Sequence, residues 1–328
     1  MSVDGSALGN ILGISVFLVF QCSGYAVAAK FLKGQSAAVK LLAGSVFGTV
    51  LLQWLPVFFS FFLGFTLLSN CLAVCTAVLL ALLLRVRKED LRLEKIAKPS
   101  PLYLIPLGVF FFFSFLVIHG FQIENGEIFS SQCTYGDMPM HLGFITSIAN
   151  QGTFPPEYSI LTGTPLSYPF LSDSVSSSLY VFGASLQISY MLPMFFAGAQ
   201  VFGGFLLLAK LWLKTLPKTI LAFVLFFLNG GFGFFYFLSG VTENPENFTR
   251  IFTNFYETPT NHMAENVRWV NIIVDMLVPQ RATLFGWAVL FTALLFLYKA
   301  VSERKKSYFV ITGILAGALP MIHTHSFL

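Results

Sequence analysis

A chain of 328 residues that is 56% hydrophobic and only 10% charged, with 39 Phe and a mean hydropathy of +0.76, is not composed like a soluble domain. Soluble domains carry about 25% charged residues. The net charge is +4, but its distribution says more than its sum, and no nucleic-acid partner is expected.

Apolar runs of the length needed to cross a bilayer, about 20 residues each, fall near 8–29, 41–62, 66–84, 101–119, 188–209, 219–239, 282–300 and 307–327. Lipid offers the backbone no hydrogen-bond partner, so each run is expected to be a helix. The fold class read from this pattern is all-α: a polytopic transmembrane helical protein of about eight spans, with interfacial helices in two large outer loops. A tight turn is expected in 60–70. A mixed-charge surface helix is expected in the linker 85–98, ended by Pro99 and Pro101.

Placing Lys/Arg-rich connections in the cytoplasm gives one consistent alternation, with the N-terminus and both large loops (about 120–187 and 240–281) outside. The inner connections then hold 16 of the 19 basic residues, and the outer side holds 11 of the 15 acidic ones. Residues 1–98 read as three spans plus a cytoplasmic linker, and 99–328 as a membrane core. No signal peptide is expected. The ending HTHSFL, at the outer end of an apolar helix, reads as the edge of a piece of a longer protein. Cys22, Cys71 and Cys75 fall in spans and Cys133 alone outside, which argues against a disulfide framework.

The first outer loop carries Asp137 and His141, four residues apart and so on one helical face. Apolar residues at 142, 144, 145, 148 and 149 have helical spacing suited to a membrane surface. Gln151-Gly152 ends that helix, Pro155-Pro156 gives an extended exit, residues 163–169 turn the chain back, and 174–187 form a second interfacial helix. A carboxylate so placed can take a proton from a hydroxyl or bind a divalent cation. It is also what the positive end of any helix attracts, and the spacing alone does not choose between these.

The second outer loop carries Glu243, Glu246, Glu257, His262, Glu265, Arg268, Asp275 and Arg281. Arg281 immediately precedes a span, so it is expected at the membrane boundary, as a bidentate phosphate ligand or as a snorkelling anchor. Gln280 beside it and Tyr168 in the first loop join the candidate phosphate- and substrate-binding residues. His323 and His325 end the last run on the outer side. Two residues apart on a helix they would point about 200° from each other, so one of them at most is expected to face a given cavity. Asn247-Phe-Thr249 is a glycosylation sequon if that loop faces a glycosylating lumen.

An acid on a surface helix in the first large outer loop, followed by Gly152-Thr-Phe-Pro-Pro156 and Gly163-Thr-Pro-Leu-Ser-Tyr-Pro169, resembles the polytopic glycosyltransferases of the GT-C fold. That family includes the protein mannosyltransferases and aminoarabinose transferases. The resemblance covers about 101–328. It implies a membrane transferase that uses a polyprenyl-phosphate-linked sugar donor, with an acceptor glycan, lipid or protein. It puts Asp137 in the place of the acid that binds or deprotonates the acceptor. It also makes Glu243 or Glu246 the second acid, with Arg281 and a histidine on the phosphate. The family pattern often pairs neighbouring acids. Here Gly136 stands beside Asp137, which leaves dependence on Mg or Mn open. Two further readings compete: a polytopic transporter or channel, and a non-catalytic scaffold of a cell-envelope polymer pathway.

Overall fold

The computed structural model of the protein describes residues 5–87, 90, 100–131, 133–249 and 263–328. In chain order its helices are α1 (Ala7–Phe31), α2 (Ala37–Leu63), α3 (Leu67–Leu83), α4 (Leu104–Gly120), α5 (Asp137–Gln151), α6 (Leu171–Val181), α7 (Leu186–Leu213), α8 (Leu216–Phe227), α9 (Phe234–Glu243), α10 (Arg281–Glu303), α11 (Lys306–Ala318) and α12 (Thr324–Phe327). Two antiparallel hairpins, β1 (Phe121–Glu124) with β2 (Glu127–Ser130) and β3 (Glu157–Tyr158) with β4 (Leu161–Pro165), lie between α4 and α6.

Among the described residues, α1, α2, α4 with its lead-in from Pro101, α7 and α10 are long and apolar enough to cross a membrane. Leu67–Leu83, Leu216–Phe227 and Lys306–Met321 are shorter apolar helices. The run expected to be continuous over 219–239 is broken. Its 12-residue helix α8 stops at Phe227, before Asn229-Gly230-Gly231, and reaches about 18 Å where a hydrocarbon core is about 30 Å thick. The run 307–327 is broken as well, by a 3-10 turn at Leu319–Met321 built around Pro320. The expected linker helix, apart from residues 85–87 and Asp90, and Glu257 and His262 lie outside the described residues.

Side-chain oxygens cap α1, α2, α3 and α7, satisfying N–H groups that have no partner within the helix. Ser6, Ser36 and Ser185 accept from Gly9, Val39 and Ile188, and Thr66 with Ser69 forms a reciprocal capping box. That box closes the tight turn expected in 60–70. α1 and α2 meet through glycine: a Cβ at Gly24 would overlap the backbone of Gly44 and Gly48. Small residues let membrane helices approach this closely. Beside that contact, Gln21, Ser45, Thr49 and Gln200 form a hydrogen-bonded group joining α1, α2 and α7, with bonds of 2.7 to 3.3 Å.

The three N-terminal helices share one apolar core with the rest, since α1 and α2 both pack on α6 and α7. At one end of the bundle Gln35 donates to Tyr308 at 2.6 Å and Lys33 pairs with Asp90 at 2.9 Å. This gathers the basic connections around 30–40 and 299–306. At the other end Asn10 accepts from the Ser185 amide at 2.7 Å, and Gly64 lies against the Gly152 carbonyl. The polar segments between α4 and α7 collect there.

Candidate functional site

Helix α5 forms as its spacing predicts, and Gly152, at φ 64°, ends it in the left-handed conformation that glycine adopts without strain. Its buried face holds Met138, His141, Leu142, Phe144, Ile145, Ile148 and Ala149. That stripe packs on α6, so the expectation that it faces lipid is corrected: the apolar side of α5 is covered by protein.

The expected interfacial helix at 174–187 is also different. Helix α6 begins at Leu171, ends at Val181 and is buried from Leu171 through Tyr180. Ser174 and Ser177 bond backward along the helix or across to α5 and Ser176 accepts from Arg281, while the buried hydroxyls of Ser172 and Ser178 have no hydrogen-bond partner among the described residues. Ser174 donates to the Leu171 carbonyl at 3.0 Å, and Ser177 lies 2.9 Å from the Ile145 carbonyl and 3.1 Å from that of Asp173. The turn expected at 163–169 sits earlier, at Ser159-Ile160, and Gly163 lies within β4.

The chemistry concentrates at Asp173, on α6. Its two carboxylate oxygens lie 3.1 and 3.0 Å from His141 Nδ1, and Oδ1 accepts from Arg281 Nε at 3.0 Å. Asp173 and Arg281 are 0% exposed and His141 1%. Arg281 also donates from Nη1 to the Tyr190 carbonyl at 3.0 Å, and from Nη2 to the Ser172 carbonyl and the Ser176 hydroxyl at 3.1 and 2.6 Å. The Tyr190 ring lies 4.5 Å from its guanidinium carbon. Arg281 is therefore enclosed and bonded on all three nitrogens, which corrects the expectation of a boundary residue facing lipid phosphate. A buried charge needs a partner this close, because desolvating it alone costs several kcal/mol.

With Asp173 accepting, His141 donates from Nδ1, and in the neutral imidazole this tautomer leaves the lone pair on Nε2. That nitrogen is buried and has no hydrogen-bond partner among the described residues. A carboxylate-oriented imidazole with a free distal nitrogen is a proton acceptor or a ligand in waiting. The Tyr168 ring lies 6.1 Å from the imidazole, edge to face. Burial, then the negative charges of Asp173 and Asp137, push the Tyr168 phenol up to about 12. Tyr168 therefore stays a neutral hydroxyl through the physiological range.

Asp137 is half-buried at the first position of α5, one turn before His141, and makes no hydrogen bond to the described residues. A single carboxylate holds Mg²⁺ only together with substrate phosphate oxygens and water. No group of three or more His, Cys, Asp or Glu at metal-binding separation occurs among the described residues. Glu243 and Glu246 are exposed, and α9 buries none of its residues. No hydrogen bond or ion pair joins them to His141, Asp173 or Arg281.

Gln280, Thr283 and His323 form a second polar group at the start of α10. Thr283 bonds Gln280 at 2.9 Å and lies 3.4 Å from His323 Nε2, while His323 Nδ1 lies 2.7 Å from the Ser326 hydroxyl. The rings of His323 and His325 are 5.5 Å apart, so both face one region. The expected divergence assumed a helix through both residues, whereas His323 is extended and precedes α12. Burial, and then the neighbouring His325, hold the His323 imidazole below its ordinary pKa.

Asp173 was not among the sequence-derived candidates. The available signal was an acid inside Leu-Ser-Asp-Ser-Val-Ser-Ser-Ser-Leu-Tyr, a polar run with no turn residue, together with an Arg at the head of an apolar span. No protein-family model, curated protein or solved structure matches this chain.

Proposed function

We propose that this chain is an integral membrane glycosyltransferase of about eight spans. It moves a sugar from a polyprenyl-phosphate donor to an acceptor hydroxyl on the outer face, where its large loops lie. The observation that carries the reading is the gathering of Asp137, His141, Tyr168, Asp173 and Arg281 at the end of the bundle opposite its basic connections. The GT-C-like pattern around 137–169 adds to it.

Asp137 takes the acceptor proton as the acceptor oxygen bonds to the sugar C1. The bond from C1 to the phosphate oxygen breaks, and its electron pair leaves on the polyprenyl phosphate. Gln280, His323 and His325 hold that phosphate. Asp173 and Arg281 fix α5 against α6 and α10, so Arg281 is a positioning residue in this scheme. If a divalent cation takes part, Asp137 and the donor phosphate are its ligands, and it supplies charge neutralisation.

General-base removal costs about 10²–10⁴-fold. Asp137→Asn in membranes supplied with polyprenyl-phosphate sugars is therefore expected to lose transfer by at least about 100-fold. Unchanged transfer by the variant would overturn the role of Asp137. Failure of the unaltered chain with every such donor would overturn the reaction class.

The buried Asp173–Arg281 pair supports a second reading, a transporter, because ionisable residues enclosed in membrane proteins often mark ion or substrate pathways. Substrate uptake into vesicles without sugar transfer would favour it.

A further inference from the structure

We propose that the cleft between the outward face of α5 and the β3–β4 hairpin binds an uncharged saccharide. This goes beyond the transferase reading, because occupancy of the cleft needs no transfer reaction.

The cleft encloses about 650 Å³, within the range of small-molecule sites. One wall is the α5 face opposite His141, where Gly143, Ser147 and Asn150 recur at helical spacing. The other wall is Tyr158, Ser159 and Ile160. Among the described residues no Lys, Arg, His, Asp or Glu lines it, which disfavours a phosphate, a carboxylate or a cation as its ligand. Its polar side chains are hydroxyls and the amides of Asn150 and Gln151. The side chains of Asn150, Tyr158 and Ser159 make no hydrogen bond to other described residues and are half-buried or exposed. Ser147 Oγ accepts from Gln151 Nε2 at 2.5 Å and keeps its own proton to donate. The Tyr158 ring meets Phe144 edge to face at 5.6 Å, adding an apolar surface among the donors. Neutral donors and acceptors beside an aromatic ring match the alternating hydroxyls and C–H faces of a sugar.

The walls are set before binding. Gln151 clamps the hairpin twice, donating to the Glu157 carbonyl at 3.1 Å and accepting from its amide at 2.8 Å. Glu157 turns its carboxylate to the Gly163 amide at 3.1 Å. A Cβ at Gly143 would stand 3.3 Å from Ser159 Oγ, so glycine lets helix and hairpin close to this distance. Walls held in this way spare the ligand an ordering cost. The cleft reaches Pro139 and Met140, two and three residues beyond Asp137.

Saturation-transfer NMR on the detergent-solubilised full chain tests this directly. The neutral probes are maltotetraose, mannotetraose and chitotetraose, compared with tetragalacturonate and with a tetra-alanine peptide. At least one neutral saccharide is expected to bind. Asn150→Ala and Tyr158→Phe should each weaken it about tenfold, as loss of one bond to a ligand hydroxyl implies. Ser147→Trp, which fills the cleft, should abolish binding while the thermal midpoint stays near that of the unaltered protein. Asp137→Asn should bind normally even where transfer is lost, which separates this proposal from the transferase reading. Binding of the peptide or the anionic probe alone, no saccharide binding, or binding that survives Ser147→Trp would each overturn it.

Discussion

Asp173 and Arg281, 108 residues apart in sequence, meet through a 3.0 Å bond between Oδ1 and Nε, with neither side chain exposed. The pair fastens the first polar segment to the head of α10. His141 on α5 completes the contact, so three helices meet on one carboxylate.

Arg281→Met leaves Asp173 buried without its cation, which costs about 3–5 kcal/mol. The thermal midpoint in detergent, followed by tryptophan fluorescence, should fall well below that of the unaltered protein. Adding Asp173→Asn to Arg281→Met should recover part of the loss, because an uncharged pair carries no uncompensated charge. An unchanged midpoint in the single variant would show that the ion pair does not hold these helices together.

His141 separates its two nitrogens in a pair of substitutions. His141→Asn can still present an N–H to Asp173, whereas His141→Phe cannot, and a bond to a charged group contributes about 1.5–3 kcal/mol. The phenylalanine variant should melt lower than the asparagine one. Both lack Nε2, so a transfer defect shared by the two with only one destabilised would assign chemistry to that atom. Equal stability would remove the Nδ1 bond from the account.

The long apolar runs were legible because lipid leaves the backbone few choices, and α1, α2, α4, α7 and α10 follow the hydropathy closely. The helix at 137–151 was legible from its spacing, but not what its apolar face meets. Periodicity reports that a stripe is covered and is silent on whether lipid or protein covers it. Burial of α6 was hidden for a related reason: five serines and an aspartate look solvent-facing, and the partners that hold Ser176 and Asp173, Arg281 and His141, lie far away in sequence. The partnership of residues 173 and 281 is long-range, and a single chain carries no pairwise signal across such a distance. The breaks after Phe227 and at Pro320 had local signals, in Asn229-Gly230-Gly231 and in the proline itself, which the average hydropathy outweighed.

Tyr168 makes a pH prediction. Its phenol is raised from the ordinary value of 10.0 to about 12, first by burial and then by Asp173 and Asp137. An acid whose folded pKa is raised keeps its proton where the unfolded chain has lost it. Its contribution to stability is therefore whole below pH 10.0 and disappears as pH rises through about 12. In the absorbance of phenolate, Tyr168→Phe should remove a step near the upper end of that window. It should also flatten the fall in thermal midpoint across it. A difference step centred at or below pH 10.0 would refute the burial of this hydroxyl.

Two contacts inside the bundle predict opposite sensitivities. Gln200 Nε2 donates to Ser45 and Thr49, but its Oε1 is buried without a partner among the described residues. Gln200→Leu removes both bonds and that orphaned oxygen together. Ser45 keeps its bond to Gln21, and Thr49 still accepts from Gln21. Hydrogen bonds between membrane helices average about 0.6 kcal/mol, so the net change should stay within about 1 kcal/mol. Gly24→Val has no such compensation, because even a Cβ there overlaps the backbone of α2. Overpacking of this kind costs about 1–3 kcal/mol or more. Thermal midpoints in one detergent should therefore rank Gly24→Val well below Gln200→Leu. The reverse order would show that the bonds from Gln200 on α7 to α2 hold the bundle more firmly than the glycine contact between α1 and α2.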